Sequence, residues 1–184
     1  MHNQLSEVDT EDQANHQVKH TTPTSIPCIL TLLNTVLPQP ATPDLSTLPP
    51  TGSVVSFRGF TRGDALVQID EPSAIVLGLE YSCYLKMAMK QLIAICDDLP
   101  PPPTSSARVT RVEISHTINC LVPLHSPSFE VVVCSAHRSE GLAALEWLLT
   151  EVKARVPIWK KEIYGDSAIT KWCVNKEWDK GRVK

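Results

Sequence analysis

The sequence predicts an α+β domain with a largely antiparallel sheet and two main helices. Two segments repeat apolar residues at helical spacing, and several short segments are rich in β-branched and aromatic residues. Their order is strands, helix, strands, helix, strands, with no internal repeat. Strands grouped between single helices favour antiparallel pairing over the regular alternation of a parallel sheet.

Residues 1–25 are polar and acidic, with Glu7, Asp9, Glu11 and Asp12, and read as a disordered tail. The domain is expected from 26 to 178, with a short basic tail over 179–184. Residues 26–37, IPCILTLLNTVL, are ordered by their apolarity; a strand running into a short helix is one reading, which the sequence does not decide. Pro38, Pro40, Pro43, Pro49 and Pro50 make 38–50 a loop, because each removes a backbone donor and biases its predecessor away from helix. GSVVSFRGFTRGD, 52–64, reads as a strand ending in a glycine-punctuated turn, and SAIVLGLEYSCY, 73–84, as another strand. From 85 to 99, apolar residues at 85, 88, 89, 92, 93 and 96 describe one helical face. The prolines at 100–103 stop that helix and make a stiff spacer. Strands follow at 107–115, 117–124 and 129–136. Ser139 is a suitable N-cap for a second helix, whose Leu142, Leu145, Leu149 and Val152 step by three and four until Pro157 ends it. IWKKEIY and KWCV close the domain as short strands.

A net charge of −3 argues against general nucleic-acid binding. The charge is uneven: nine of the 17 Lys and Arg residues lie between Lys153 and Lys184, against four carboxylates there. No run of 18 apolar residues suggests a membrane span, and the first 25 residues lack a signal-peptide core, so the expected location is cytoplasmic. Six cysteines form no CxxC pair, and the histidines show no metal-ligand spacing beside them; no metal site is expected. Cys96 and Cys134 sit in apolar runs and read as small buried hydrophobes.

Three segments carry chemistry. CSAHRSE, 134–140, sits where a strand gives way to a helix. The amides of a helix N-terminus favour an anion there, and His137 and Arg138 add donors; a capped helix with a surface arginine is the plainer alternative. FRGFTRGD offers Arg58 and Arg62 beside glycines that permit close backbone approach, but no Walker pattern is present. VKARVPIWKKEIYGD, 152–166, gathers Lys153, Arg155, Lys160, Lys161 and Glu162 around one proline and one tryptophan. Alternation puts Trp159 and Lys160 on opposite strand faces. Arg138 and Lys153 are about 22 Å apart along their helix at 1.5 Å per residue, so a site using both needs a bend or a second copy of the chain.

These segments resemble the large, catalytic subunit of molybdopterin synthase. Ser135, Ala136, His137 and Arg138 fit its S-A-H-R motif. Lys153, Arg155, Pro157, Trp159, Lys160, Lys161 and Glu162 fit its K-x-R-x-P-x-W-K-[KR]-E motif, and Trp172 its Trp-containing end. GSVVSFRGFTR and LEYSCYLKMAMKQL are similar to the family's N-terminal motifs. The likeness covers about 52–178. It departs at Thr117 and Asn119, where the family has Arg and Gly, at LHSPS, which replaces a Gly-Glu turn, and at Thr61, which replaces a Val.

The resemblance implies an α/β hammerhead-type fold and a homodimer at the core of a heterotetramer, each copy binding a small ubiquitin-like sulfur carrier. The carrier's Gly-Gly thiocarboxylate enters the large subunit and gives sulfur to cyclic pyranopterin monophosphate, forming the dithiolene of molybdopterin. No permanently bound cofactor is implied. Carried over by position, Lys153 and Lys160 are catalytic, and Phe57, Phe60, Thr61, Arg62, His137, Arg138, Lys161 and Glu162 bind substrate, the His-Arg pair coming from the neighbouring subunit. Both substrates are anions, which suits a cationic cluster, and a lysine crowded by cations gives up its proton more readily. The alternative is a degenerate paralogue that docks a Gly-Gly tail without sulfur transfer.

Overall fold

Three rows of side chains run across one face of a five-stranded sheet and build the core. Cys28, Val112, Val133 and Val55 form the first, Leu30, Ile114, Val131 and Phe57 the second, and Leu32, His116, Phe129 and Gly59 the third. They are register partners on β2 (Pro27–Leu33), β5 (Val109–Thr117), β7 (Pro127–Ser135) and β3 (Ser53–Phe60). Cys28, Leu30, Leu32, Val112, Ile114, Val131 and Val133 are all at most 1% exposed. Each large side chain so buried is worth about 1.5–3 kcal/mol.

The computed structural model describes residues 15–62, 76–100, 108–164 and 170–173. β1 (His16–Thr21) completes the larger sheet, in the order β1-β2-β5-β7-β3. β2 and β5 pair in parallel and the other neighbours antiparallel. The smaller sheet has the order β6-β4-β8-β9, all antiparallel, from β6 (Leu121–Pro123), β4 (Val76–Cys83), β8 (Ile158–Tyr164) and β9 (Thr170–Cys173). The α+β class therefore holds, with two sheets where the sequence suggested one. The exchange between sheets occurs at Ile118–Cys120, where Asn119 adopts φ 50°. Asparagine tolerates that left-handed geometry better than most residues. The expected strand 117–124 is accordingly split between the end of β5 and β6.

β1 corrects the expectation of a disordered tail through residue 25. His16–Thr21 pairs with Pro27–Leu33 through a turn in which Ser25 has φ 65° and Thr22 Oγ1 accepts from the Ile26 amide at 3.0 Å. Its polar outer residues conceal the pattern of an edge strand. Residues 1–14 and 179–184 lie outside the described residues. Residues 26–37 contribute a strand and no helix.

α1 (Leu85–Asp97) buries Ala88, Leu92, Ile95 and Cys96, with Leu85, Met89 and Ile93 packed beside them, close to the expected stripe. α2 (Arg138–Arg155) buries Gly141, Ala144, Leu145, Leu148 and Val152 and leaves Leu142 54% exposed. The expected stripe is thus rotated. The cause is Gly141, where a Cβ would lie 2.6 Å from Ser135 Oγ and 3.2 Å from Val55 Cγ2. The bare backbone lets the helix lie directly on β7 and β3. The N-cap is His137, two residues before Ser139, and makes no side-chain capping bond; Ser135 Oγ donates instead to the His137 carbonyl at 2.8 Å. At the other end, Arg155 pairs with Asp98 at 2.8 Å and Glu151 at 3.3 Å, tying the end of α2 to that of α1.

Candidate functional site

The buried Val156–Pro157 corner turns the chain from α2 into β8. Val156 donates its amide to Val152, and Ile158 donates to Val156 at 2.8 Å. Proline cannot continue the helix, so Lys153 in the last helical turn and Lys160 on the strand flank one tight corner. Both are exposed, while Val152 beside Lys153 is buried.

Alternation then sorts β8. Ile158, Lys160, Glu162 and Tyr164 share one face and Trp159, Lys161 and Ile163 the other. The first face looks inward: Ile158 packs on the core and Tyr164 is 1% exposed. Lys160 stands opposite Tyr81 and Glu162 opposite Leu79. Tyr164 Oη donates to Glu162 Oε2 at 2.6 Å. On the other face, Lys161 stands opposite Glu80 and Trp172, and its ammonium lies 3.9 Å from Glu80 Oε2. Trp159 is 39% exposed there. The structure does not bring Lys161 to the face of Lys160.

Phe60, Thr61 and Arg62 lie at the end of β3, beside the segment that leads into β7. Thr61 donates its amide to the Ser126 carbonyl at 3.0 Å and accepts from the His125 amide at 2.9 Å. His125 has φ 61° in the LHSPS segment. Ser128, three residues on, shares a 2.9 Å hydrogen bond with Tyr81, the partner of Lys160. Phe60 and Arg62 are exposed, and Thr61 is buried with an Oγ1 that finds no partner among the described residues. Phe57 packs against Phe129 at 6.1 Å between ring centres and belongs to the core margin.

His137 and Arg138 are exposed at the far end of β7. From Pro127 to Ser135 that strand spans roughly 26 Å at 3.3 Å per residue. Within one chain, Arg62 and Lys160 are therefore gathered near the start of β7, and His137 with Arg138 beyond its finish.

Cys83, Cys96, Cys120 and Cys134 are poor nucleophiles. Burial pushes Cys83 up to about 11 and raises Cys120 and Cys134, while contact with the Cys28 thiol, then burial, raises Cys96. His116 is pushed down to about 4 by desolvation, against the opposing effect of the 2.6 Å bond between its Nδ1 and the Thr117 carbonyl. As a neutral ring it packs against Tyr81 of the smaller sheet and Phe129 of its own. Among the described residues, no group of three or more His, Cys, Asp or Glu could hold a metal ion, and no helix is long and apolar enough to cross a membrane. Cavities of about 430 and 600 Å³ lie along β1, and neither is lined by a residue of the expected site.

The MoaE protein family model matches residues 38–155. The chain belongs to the MoaE family. The MoaE match spans β3 through α2 and includes Lys153, whereas Lys160, Lys161 and Glu162 fall just after it. The molybdopterin synthase catalytic subunit of Bos taurus is 36% identical over 126 residues, 68% of this chain and 60% of that protein. The protein of the same name from Arabidopsis thaliana is 33% identical over 141 residues, 77% of this chain and 65% of that one. The chain thus spans about 60% of the length of these MoaE relatives. Among solved structures, molybdopterin synthase from Staphylococcus aureus superposes with a TM-score of 0.55 at 30% identity, covering 67% of this chain and 81% of that one. Molybdopterin cofactor biosynthesis protein E from Burkholderia multivorans, at TM-score 0.54 and 22% identity, covers 84% of this chain and 88% of its own and shares the fold.

Two contributors were missed from sequence. Tyr164 and Tyr81 each make a hydroxyl hydrogen bond beside the expected site residues, and the only trace of Tyr164 was its place two residues after Glu162 on an alternating strand.

Proposed function

We propose that this chain is the catalytic subunit of a molybdopterin synthase. It takes sulfur from the C-terminal thiocarboxylate of a ubiquitin-like carrier and places it on cyclic pyranopterin monophosphate. The observation that carries the reading is the pair Lys153 and Lys160, flanking one buried corner in a chain of the MoaE family. Both substrates are anions. Exposed lysines favour them, and fixed cations stabilise the charge released as the cyclic phosphate opens. Lys153 acts as the acid, base or nucleophile, and Lys160 orients the thiocarboxylate or a substrate oxygen. Arg62 holds the phosphate together with His137 and Arg138 of a second copy, since one chain keeps that pair at the opposite end of β7. Each copy then lends its His-Arg pair to the other, in a dimer flanked by two carriers. We locate this assembly in the cytoplasm.

Reconstitution tests the reading. The chain, a carrier bearing a Gly-Gly thiocarboxylate and the cyclic pterin are combined, and the dithiolene product is assayed. Product is expected from the wild type and about 10²–10³-fold less from Lys153→Ala, the scale of removing one transition-state contact. A Lys153→Ala protein with normal turnover overturns the assignment.

A further inference from the structure

We propose that the open side of α2, above the free edge of β3, is where a second copy of this chain docks, the two α2 helices lying antiparallel and centred between Leu145 and Glu146. The proposal rests on the sulfur-transfer reading for the purpose of the contact, while the surface itself follows from the fold. α2 lies on β7 and β3, with Gly141 against Ser135 and Val55. Glu151 and Arg155 flank its buried face on the side of α1, where Arg155 meets Asp98. The other flank carries Arg138, Leu142, Glu146, Leu149 and Lys153, all within about 80° of arc at 3.6 residues per turn. Arg138, Glu146 and Lys153 are exposed, Leu142 is 54% exposed, and Leu149 sits at the core margin.

That flank overhangs β3, which ends the larger sheet and pairs only with β7 among the described residues. Val55 and Phe57 of β3 are only partly buried, although their row partners Val133 and Val131 are fully so. An apolar strip beside an unpaired strand edge is an association surface. Spacing selects a second copy as its occupant. Arg138 and Lys153 are about 22 Å apart along one helix, and a site using both needs another chain. In the antiparallel pair, Arg138 meets Lys153 of the second copy and Leu142 meets its Leu149, and the twofold repeats both contacts. One register thus covers the leucines and delivers His137 and Arg138 to the other copy's lysine. It also turns the two β3 edges toward each other. The facing Arg and Lys repel, a cost that an anionic substrate between them removes. Glu146, the most outward of the five, flanks the axis on the solvent side, where salt screens it from its copy.

Sedimentation equilibrium of the full chain, without carrier or pterin, tests the surface. The wild type is expected as a dimer. Leu142→Asp enters an isologous contact twice and should raise the dissociation constant about 100-fold, with an unchanged circular dichroism spectrum because Leu142 is exposed. A short bismaleimide reads the register, with the wild type as blank for the native cysteines. Glu146→Cys, beside the twofold, should give a covalent dimer. Ser139→Cys, whose two copies stand about 20 Å apart along the helix axes, should not. Mixing Arg138→Ala with Lys153→Ala should restore about a quarter of wild-type turnover, since half the dimers are then mixed and each holds one complete site. A monomeric wild type, a dimer that Leu142→Asp leaves intact, or cross-linking through Ser139→Cys in place of Glu146→Cys overturns the proposal. So does a Leu142→Asp dimer that has lost only carrier binding, which would give the surface to the carrier. If sedimentation and cross-linking hold but the wild type makes no dithiolene, the sulfur-transfer reading fails and the docking surface stands.

Discussion

Tyr81 and Ser128 share a 2.9 Å hydrogen bond that joins the smaller sheet to the larger one, on the residue that stands opposite Lys160. Tyr81 is 8% and Ser128 5% exposed, so neither hydroxyl can readily exchange its partner for water. Tyr81→Phe leaves a buried hydroxyl behind and is expected to cost about 1–2 kcal/mol. Urea unfolding of Tyr81→Phe, Ser128→Ala and the double variant should show a coupling of about 1 kcal/mol between the two sites. Simple additivity would mean that the sheets are joined by packing alone.

The two faces of β8 predict unequal lysines. Lys160→Ala should reduce turnover about 10²-fold in the reconstituted reaction, with an unfolding midpoint near that of the wild type, because the side chain is exposed. Lys161→Ala should change turnover no more than about three-fold and stability by at most about 1 kcal/mol, the range for a partly exposed ion pair such as its contact with Glu80. Equal losses from both would place the two ammoniums in one site despite the alternation.

His116 makes stability depend on acid. Its folded pKa of about 4 lies below the ordinary 6.5, so between those values the unfolded chain binds the proton and the folded chain does not. Stability should rise with pH from about 4 to 6.5 and be flat above. The full difference is of order 3 kcal/mol at 1.36 kcal/mol per pH unit. Urea midpoints at pH 4.5 and 7 measure it, and His116→Gln should flatten the profile over that window. An unchanged slope would assign the acid sensitivity to carboxylates.

Gly141→Ala sets two effects against each other. Alanine favours helix by about 1 kcal/mol over glycine. Its Cβ, however, meets Ser135 Oγ at 2.6 Å, and that oxygen is fixed by its bond to the His137 carbonyl. The clash should win, leaving a net loss of about 1–2 kcal/mol, on the scale of overpacking. Pairing it with Ser135→Ala should recover most of the loss in thermal unfolding; failure to recover would put the strain at Val55.

Helices were the most legible part of the sequence, since α1 buries nearly the stripe its spacing describes. α2 was legible in extent but turned in detail, because Gly141 and Ala144 face the core without advertising it by hydrophobicity. β1 was hidden: HQVKHT is polar and acquires its place from pairing with the apolar β2. The division into two sheets turns on the single left-handed residue Asn119. At the site, Lys153 and Lys160 were reached through the motif resemblance, and the structure sets them on either side of the Pro157 corner. The hydroxyl contact of Tyr164 with Glu162 is one that no spacing encodes, and the separation of Lys161 from Lys160 waited on the register that gives it Glu80.

The parallel pairing of β2 with β5 has a consequence for where this protein begins as a folding unit. The family match starts at residue 38, yet Cys28, Leu30 and Leu32 fill one end of all three core rows from before that point. A chain cut back to the family boundary would bare the backbone edge of β5 and open the floor under α1. Exposed strand edges recruit other chains, so such a fragment is prone to self-association. The folded unit of this chain therefore includes a strand that lies before the residues the family model matches.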